Sequence, residues 1–258
     1  MIGLSIAKFY SALGYSVVVL EKESRAGEGI SSRNSGVIHG GMYYPANSLK
    51  TKFCIEGNKM LYKYAKLKNI SHQKLGKYII ASQDSDLGKL DKIYEQGISN
   101  GAIIKRCSKD EMQAEYPDLI LTGGIYSSET GIIDVPELIS ALEGDIQRNS
   151  GTVAFNTSFK SATKADNLFE IVCDDGNEFV VQAKNLVNAA GLTSDISSKN
   201  IKQLDKKYNH PIYFAKGHYF KYSGSHPFHS LVYPLSDEFS LGIHVGFDIS
   251  GQLRFGPD

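Results

Sequence analysis

The chain has 258 residues, with 28 Lys+Arg against 28 Asp+Glu, 41% hydrophobic residues and 22% charged ones. That is a globular composition and enough chain for one large domain or two modest ones. The zero net charge gives no basic surplus for nucleic acid, no apolar run approaches the ~18 residues of a membrane-spanning helix, and three scattered cysteines without a CxxC pair exclude a disulfide framework or a cysteine metal site and point to a reducing compartment.

In chain order, residues 3–14 place Leu4, Ile6, Ala7, Tyr10 and Leu13 at helical spacings, with Gly14 as a stop. Residues 16–20 form a β-branched run that reads as a buried parallel strand ending at Glu21. Residues 24–47, rich in Ser, Gly and Asn, read as a long loop, and such loops are often functional. A helix follows over 48–68, then a strand over 77–82. A polar amphipathic helix over 85–100 stops at Gly101, a short helix covers 109–115, and 123–127 reads as a strand.

Alternation then returns. Residues 135–149 form a helix with Leu138, Leu142 and Ile146 on one side, followed by a strand over 152–157. Strands over 168–173 and 178–182 flank Asp174-Asp175-Gly176-Asn177, a hairpin signal. Residues 185–189 read as another short apolar strand running into Gly191. From about Tyr208 the chain carries short strand-like runs dense in Tyr, Phe, His and Gly. Two helix–strand blocks, separated and followed by material of another kind, imply domains built from discontinuous pieces. We expect 1–74 with 132–205 in one, and 75–131 with 206–258 in a second, sheet-rich one.

The helix opening at Gly3 and the strand ending at Glu21, 18 residues on, match part of a dinucleotide-binding unit. There, glycine admits close backbone approach at a helix N-terminus, and an acid at the second strand's end accepts from ribose hydroxyls. The stretch from Ser32 to Pro45 adds Gly36, Gly40 and Gly41, which permit positive φ and tight approach. It also supplies donors from Arg33, Asn34 and Ser35, with His39 and Tyr43 able to face a ring.

With these residues assembled, the chain resembles the FAD-dependent oxidoreductases of the D-amino-acid-oxidase superfamily, and within it the L-2-hydroxyglutarate oxidase/dehydrogenase family. The matching runs are LEKE at 20–23, RNSGVIHGGMYYP at 33–45, SLKTKFC at 48–54, GK at 76–77, TGIIDVPEL at 130–138 and NAAGLTSD at 188–195. They continue with KGHYF at 216–220, YP at 233–234, LGIHVGFD at 241–248 and GQLRFGPD at 251–258. The resemblance implies an α/β chain: a Rossmann-like FAD-binding domain, with an inserted, sheet-rich α+β substrate domain. It also implies that the first strand and two phosphate-facing glycines precede Met1, and that further chain follows Asp258.

Carried over residue by residue, the resemblance implies that Gly3 is the third glycine of the fingerprint. Glu21 would hold the adenosine ribose, flanked by Lys22. Arg33, Asn34, Ser35 and Gly36 would run past the pyrophosphate and flavin edge, and Val37, Ile38, His39, Gly40 and Gly41 would lie against the isoalloxazine. Thr157, Ser158 and Phe159 would sit near the adenine. Ala190 and Gly191, after Ala189, would form a second close-approach turn, with Asp195 starting the next helix.

The implied reaction is hydride transfer from C2 of a 2-hydroxy acid to flavin, with a base taking the hydroxyl proton. His39 and His244 are the two candidates for that base, and each reads equally well as a structural histidine. Arg254, Lys216 and Arg33 are candidate cations for a dicarboxylate such as L-2-hydroxyglutarate. Tyr43, Tyr219 and Tyr233 are candidate donors, or core. His218 is expected in a strand facing the pocket, and His72, His210, His226 and His229 at the surface or in turns. No metal site is expected. The electron acceptor is left as oxygen or a quinone, and the setting as cytoplasmic with peripheral attachment to an inner membrane, mitochondrial in a eukaryote. Alternatives are a relative oxidising glycerol 3-phosphate or an amino acid, and a catalytically dead fragment. Phosphate recognition would call for a denser arginine cluster than the residues beyond 200 contain.

Overall fold

The computed structural model describes residues 1–235 and 242–258, so Leu241 of the 241–248 motif lies outside the described residues. α1 (Ile2–Ala12) turns Leu4, Ala7 and Ser11 inward and leads into β1 (Val18–Leu20). Within the expected loop, Val37–Ile38 form β2. α2 (Leu49–Lys68) starts at Ser48, whose hydroxyl accepts from the Thr51 N–H at 3.1 Å, and closes on Asn69 in the left-handed region, with Lys66 and Lys68 in its last turn. β3 (His72–Gln73), β4 (Lys77–Ala81), α3 (Leu87–Ser99) and β5 (Ile104–Ser108) follow. α4 (Lys109–Glu115) begins with a reciprocal capping box between Ser108 and Glu111. Next come β6 (Gly123–Ser127), β7 (Gly131–Ile133), α5 (Val135–Arg148) and β8 (Thr152–Ala154). The remaining elements are β9 (Ser158–Ala165), β10 (Leu168–Asp174), β11 (Glu178–Ala183), α6 (Ser194–Lys199), β12 (Phe220–Lys221), β13 (Leu231–Pro234), β14 (His244–Phe247) and β15 (Leu253–Gly256).

Contacts divide the chain into two units, Met1–Asn34 with Val135–Ala215 and Ser35–Asp134 with Lys216–Asp258. Both are discontinuous, with seams at 34/35, 134/135 and 215/216 where the sequence suggested 74/75, 131/132 and 205/206. The difference has a physical source: residues 35–74 share ladders and helix contacts with 75–134, because β2 and β3 both pair with β7.

In the first unit β1 lies parallel to β8, Val18 opposite Thr152 and Leu20 opposite Ala154, the pairing expected of a βαβ crossover. α5 buries Leu138, Ile139, Leu142 and Ile146. β9, β10 and β11 form an antiparallel sheet around Ala162, Ile171 and Cys173. The strand expected over 185–189 does not form. That run pairs with no strand among the described residues, and Val187 is 54% exposed. An apolar run becomes a strand only where a neighbour completes its hydrogen bonds.

The second unit is a seven-stranded sheet ordered β12-β15-β14-β13-β4-β6-β5, beside a three-stranded sheet β2-β7-β3. β4 is interior, parallel to β13 and antiparallel to β6, and all five of its residues are buried. One core contains Tyr78, Ile80, Met112, Tyr116, Leu231 and Val232. A second contains Met42, Ile79, Ala81, Leu90 and Ile125. Successive β4 residues thus feed opposite faces of the sheet. Lys77 opens this strand, and the sheet buries it with the rest: it is 1% exposed.

Candidate functional site

The glycine-rich segment belongs to the second unit from Ser35 onward. β2 anchors its start, with Val37 opposite Ile132 and Ile38 opposite Gly131. Two asparagines fix the rest. Asn58 of α2 donates through Nδ2 to the His39 carbonyl at 3.0 Å and to the Glu129 carbonyl at 2.8 Å. Asn100, just past α3, donates to the carbonyls of Gly41 at 3.1 Å and Tyr44 at 2.8 Å. The glycines answer to this packing. A Cβ on Gly41, at φ +81°, would lie 2.5 Å from Ile55 Cδ1, and one on Gly40 would lie 2.6 Å from Ser127 Oγ. The close approach that the sequence suggested for a ring is made to protein at both positions, and also at Gly36, where a Cβ would meet the Ile133 carbonyl at 3.1 Å.

Held this way, His39 presents a half-buried ring whose Nδ1 is buried without a hydrogen-bond partner. Burial first, then the charges of Lys77, His244 and Lys50, lower its pKa to about 4. It is therefore a neutral imidazole at neutral pH. Lys77 Nζ stands 4.6 Å from the ring centroid of Tyr43 and 4.8 Å from that of Tyr233, the separation of cation–π contacts. Among the described residues no carboxylate lies within ion-pair distance of it. Burial pulls its pKa down to about 7, with the Cys54 thiol opposing. The Tyr233 ring stacks on His244, centroids 3.6 Å apart and planes 6° from parallel.

Tyr233 and His244 also wall a shallow cleft with Ser35, Val37, Tyr219 and Arg254. Arg254 lies on β15 opposite Gly246, and no carboxylate is within ion-pair distance of it among the described residues. The structure thus brings Ser35, Val37, His244 and Arg254 together at one cleft. Lys216 is exposed and does not line it. His218 does not face it from a strand either: its backbone N–H and its Nδ1 engage Asp258 at 2.7 and 3.0 Å in an exposed irregular segment.

In the first unit, Gly3 approaches Ala189 so closely that a Cβ would lie 3.3 Å from the alanine Cβ. Glu21 directly follows β1, with one carboxylate oxygen accepting from the Glu23 N–H at 3.0 Å. Lys22 pairs with Glu23 at 3.5 Å and is largely solvated. Arg33 is exposed, and Asn34 donates to the Ser31 carbonyl. Ser158 opens β9. The Ala190 N–H donates to Asn188 Oδ1, Gly191 takes φ +58° beside Ile30, and Asp195 lies in the first turn of α6, where it pairs with Lys199 at 3.4 Å.

A family model described as FAD dependent oxidoreductase, DAO, matches residues 1–258. The chain belongs to the DAO family of FAD-dependent oxidoreductases. Mitochondrial L-2-hydroxyglutarate dehydrogenase of Arabidopsis thaliana is 33% identical, over 100% of this chain and 60% of the relative. The Escherichia coli K12 L-2-hydroxyglutarate dehydrogenase is 28% identical, over 94% of this chain and 57% of the relative. The chain thus spans about 60% of the length of these relatives. Among solved structures, the FAD-bound L-α-glycerophosphate oxidase of Mycoplasma pneumoniae superposes with TM-score 0.84 at 22% identity, over 99% of this chain and 69% of that one. The α/β FAD-binding fold is accordingly the fold of this chain. No helix among the described residues is long and apolar enough to cross a membrane.

Sequence reasoning passed over Asn58 and Asn100, and it gave Lys77 no role beyond a matching dipeptide. The two asparagines carry no signal, since each is one polar residue on or beside an amphipathic helix. Lys77 does carry one: it heads KYIIA, a run with no polar face.

Proposed function

We propose that the protein to which this chain belongs oxidises the C2 hydroxyl of a 2-hydroxy acid, L-2-hydroxyglutarate foremost, to the 2-oxo acid with FAD. The residues present fit that group. Gly3 leaves too little room for a side chain next to Ala189. Glu21 keeps its second carboxylate oxygen as an acceptor for ribose hydroxyls, with Gly191 and Asp195 in the turn that follows the 185–190 run. Ser35 and Val37 line the cleft at the start of the glycine-rich segment, and His39 further along it carries a buried nitrogen without a partner. When bound, FAD supplies the two-electron acceptor.

The chain's own residues do the rest. Arg254 offers an unengaged guanidinium fork to a carboxylate. Tyr219 and Tyr233 wall the cleft, and His244 is fixed by stacking on Tyr233. His39 is the base: its Nδ1 is without a hydrogen-bond partner and the ring is held deprotonated, so it is the imidazole that takes the hydroxyl proton. The observation that carries this reading is the meeting of the Arg254 guanidinium and the His244 imidazole at one cleft, with Tyr219 and Tyr233 as its walls. Arg254 is the single arginine beyond residue 200, which disfavours a phosphate substrate. The two dehydrogenase relatives support the hydroxy acid. The electron acceptor is oxygen or a quinone. The setting is the cytoplasm, peripheral to the inner membrane, or in a eukaryote the mitochondrion, as the Arabidopsis relative's name has it.

The test is anaerobic mixing of FAD-loaded protein with L-2-hydroxyglutarate, D-2-hydroxyglutarate or glycerol 3-phosphate. Bleaching of the flavin band by the L-hydroxy acid alone is expected, and bleaching by glycerol 3-phosphate alone refutes the reading.

A further inference from the structure

A buried ammonium normally has a carboxylate partner, because no ring face replaces the water it has lost. Among the described residues Lys77 has the faces of Tyr43 and Tyr233 and no carboxylate within ion-pair distance. Tyr233 is also a wall of the Arg254 cleft, so the cage and the cleft share one side chain. Tyr43, by contrast, is 39% exposed, which makes it the wall that a ligand can displace. The groups that face Lys77 among the described residues are Cys54 from α2, Tyr43 and His39 from the glycine loop, and Tyr233 from β13, while Lys50 and His244 act on His39 beside it. None is an acid that is ionised at neutral pH, so among the described residues the Lys77 ammonium has no counter-anion.

We propose that Lys77 is the second carboxylate-receiving residue of this cleft, its caged ammonium pairing with the distal carboxylate of a dicarboxylic 2-hydroxy acid while Arg254 holds the carboxylate next to the reacting carbon. This rests on the reading of the site as a hydroxy-acid oxidase and adds what that reading lacks, a basis for choosing a dicarboxylate over a monocarboxylate. It also links binding to proton transfer. The Lys77 charge is one of the forces that depress the proton affinity of His39. A carboxylate laid on Lys77 cancels that force, so His39 becomes the stronger base only once the correct substrate is seated.

The test uses FAD-loaded protein and two unreactive probes, glutarate and butyrate, titrated calorimetrically into the wild type, Lys77→Met and Lys77→Arg. Glutarate affinity is expected to fall at least tenfold in Lys77→Met and to recover in Lys77→Arg, with butyrate changing less than twofold. In the wild type at pH 7.5, glutarate should take up between about half and one proton, read from buffers of different ionisation enthalpy, because the pairing re-protonates a lysine near pKa 7. Imidazole NMR should show the His39 pKa rising on glutarate binding in the wild type. In Lys77→Met it should start higher and move less. Equal losses for glutarate and butyrate, or no proton uptake by the wild type, overturn the role of Lys77 alone, provided that L-2-hydroxyglutarate still bleaches the flavin. Failure of the wild type both to bleach and to bind glutarate overturns the function and this proposal together.

Discussion

Replacing Lys77 by methionine should make the protein more stable, and the size of the gain follows from the burial of its ammonium. The free side chain titrates at 10.5 and the folded one at about 7. At about 1.4 kcal/mol per tenfold change in proton affinity, that difference costs the fold about 5 kcal/mol at pH 7 and below. The two ring contacts are worth about 0.5–2 kcal/mol each and are lost with the charge. The net gain for Lys77→Met at pH 7 is therefore about 1–4 kcal/mol. The sign of the pH dependence is fixed by the same numbers. Between pH 7 and 10.5 the unfolded chain binds the proton and the folded one does not, so wild-type stability rises with pH across that window. Urea unfolding at pH 7.5 and 9 should show the wild type gaining about 2 kcal/mol relative to Lys77→Met, as the variant's advantage shrinks. Parallel pH profiles, or a variant less stable than the wild type at pH 7, would refute the reasoning.

Other expectations concern the same loop. His39→Gln should flatten the acid limb of stability: a folded pKa near 4 against 6.5 means that the wild type loses about 2–3 kcal/mol as pH falls through that interval, readable from urea midpoints at pH 6.5 and 4.5. Gly41→Ala should cost about 2–4 kcal/mol, since it combines a positive φ with a Cβ 2.5 Å from Ile55, whereas Gly57→Ala, in α2 with nothing within 4 Å, should stabilise by about 0.5–1 kcal/mol. Thermal melts of the pair distinguish loop packing from general helix preference. Asn58→Ala should cost about 1–3 kcal/mol, at the low end because Cys54 Sγ and Tyr62 Oη still reach the same two carbonyls. Hydrogen exchange should then quicken at residues 38–45.

The legible parts of the fold are those that local chemistry decides. Ser48 and Ser108 place the starts of α2 and α4 where a hydroxyl can accept from the first turn, and Asp174-Asp175-Gly176-Asn177 fixes the β10–β11 hairpin through a glycine at φ +114°. Gly123–Ser127 is a strand as its composition suggests. What could not be read depends on neighbours distant in sequence. Ile104–Ser108, IKRCS, becomes a strand only because β6 offers it an edge. Residues 185–189 look more like a strand and find no partner among the described residues. At the site, chemistry-bearing types marked His39, His244, Arg254 and Tyr233, and the structure gathers them in one unit. Lys216 carried the same charge as Arg254, but no ladder draws it inward. Lys77 is half legible: an ammonium at the head of an apolar run can be seen in the sequence, but the rings that enclose it come from the glycine loop and from β13 alongside.

That flanking arrangement bears on synthesis. β4 leaves the ribosome well before one of its two ladder neighbours: β13 is made more than 150 residues later, after the rest of another unit has been translated. Until then nothing seals the ammonium of Lys77 from water, and half of its aromatic enclosure does not exist. The nascent chain can prepare α2, α3 and the β5–β6 pair, but the charged anchor remains an ordinary solvated lysine until the late strand zips in alongside it. The enclosure of that ammonium is thus completed only once β13 has emerged.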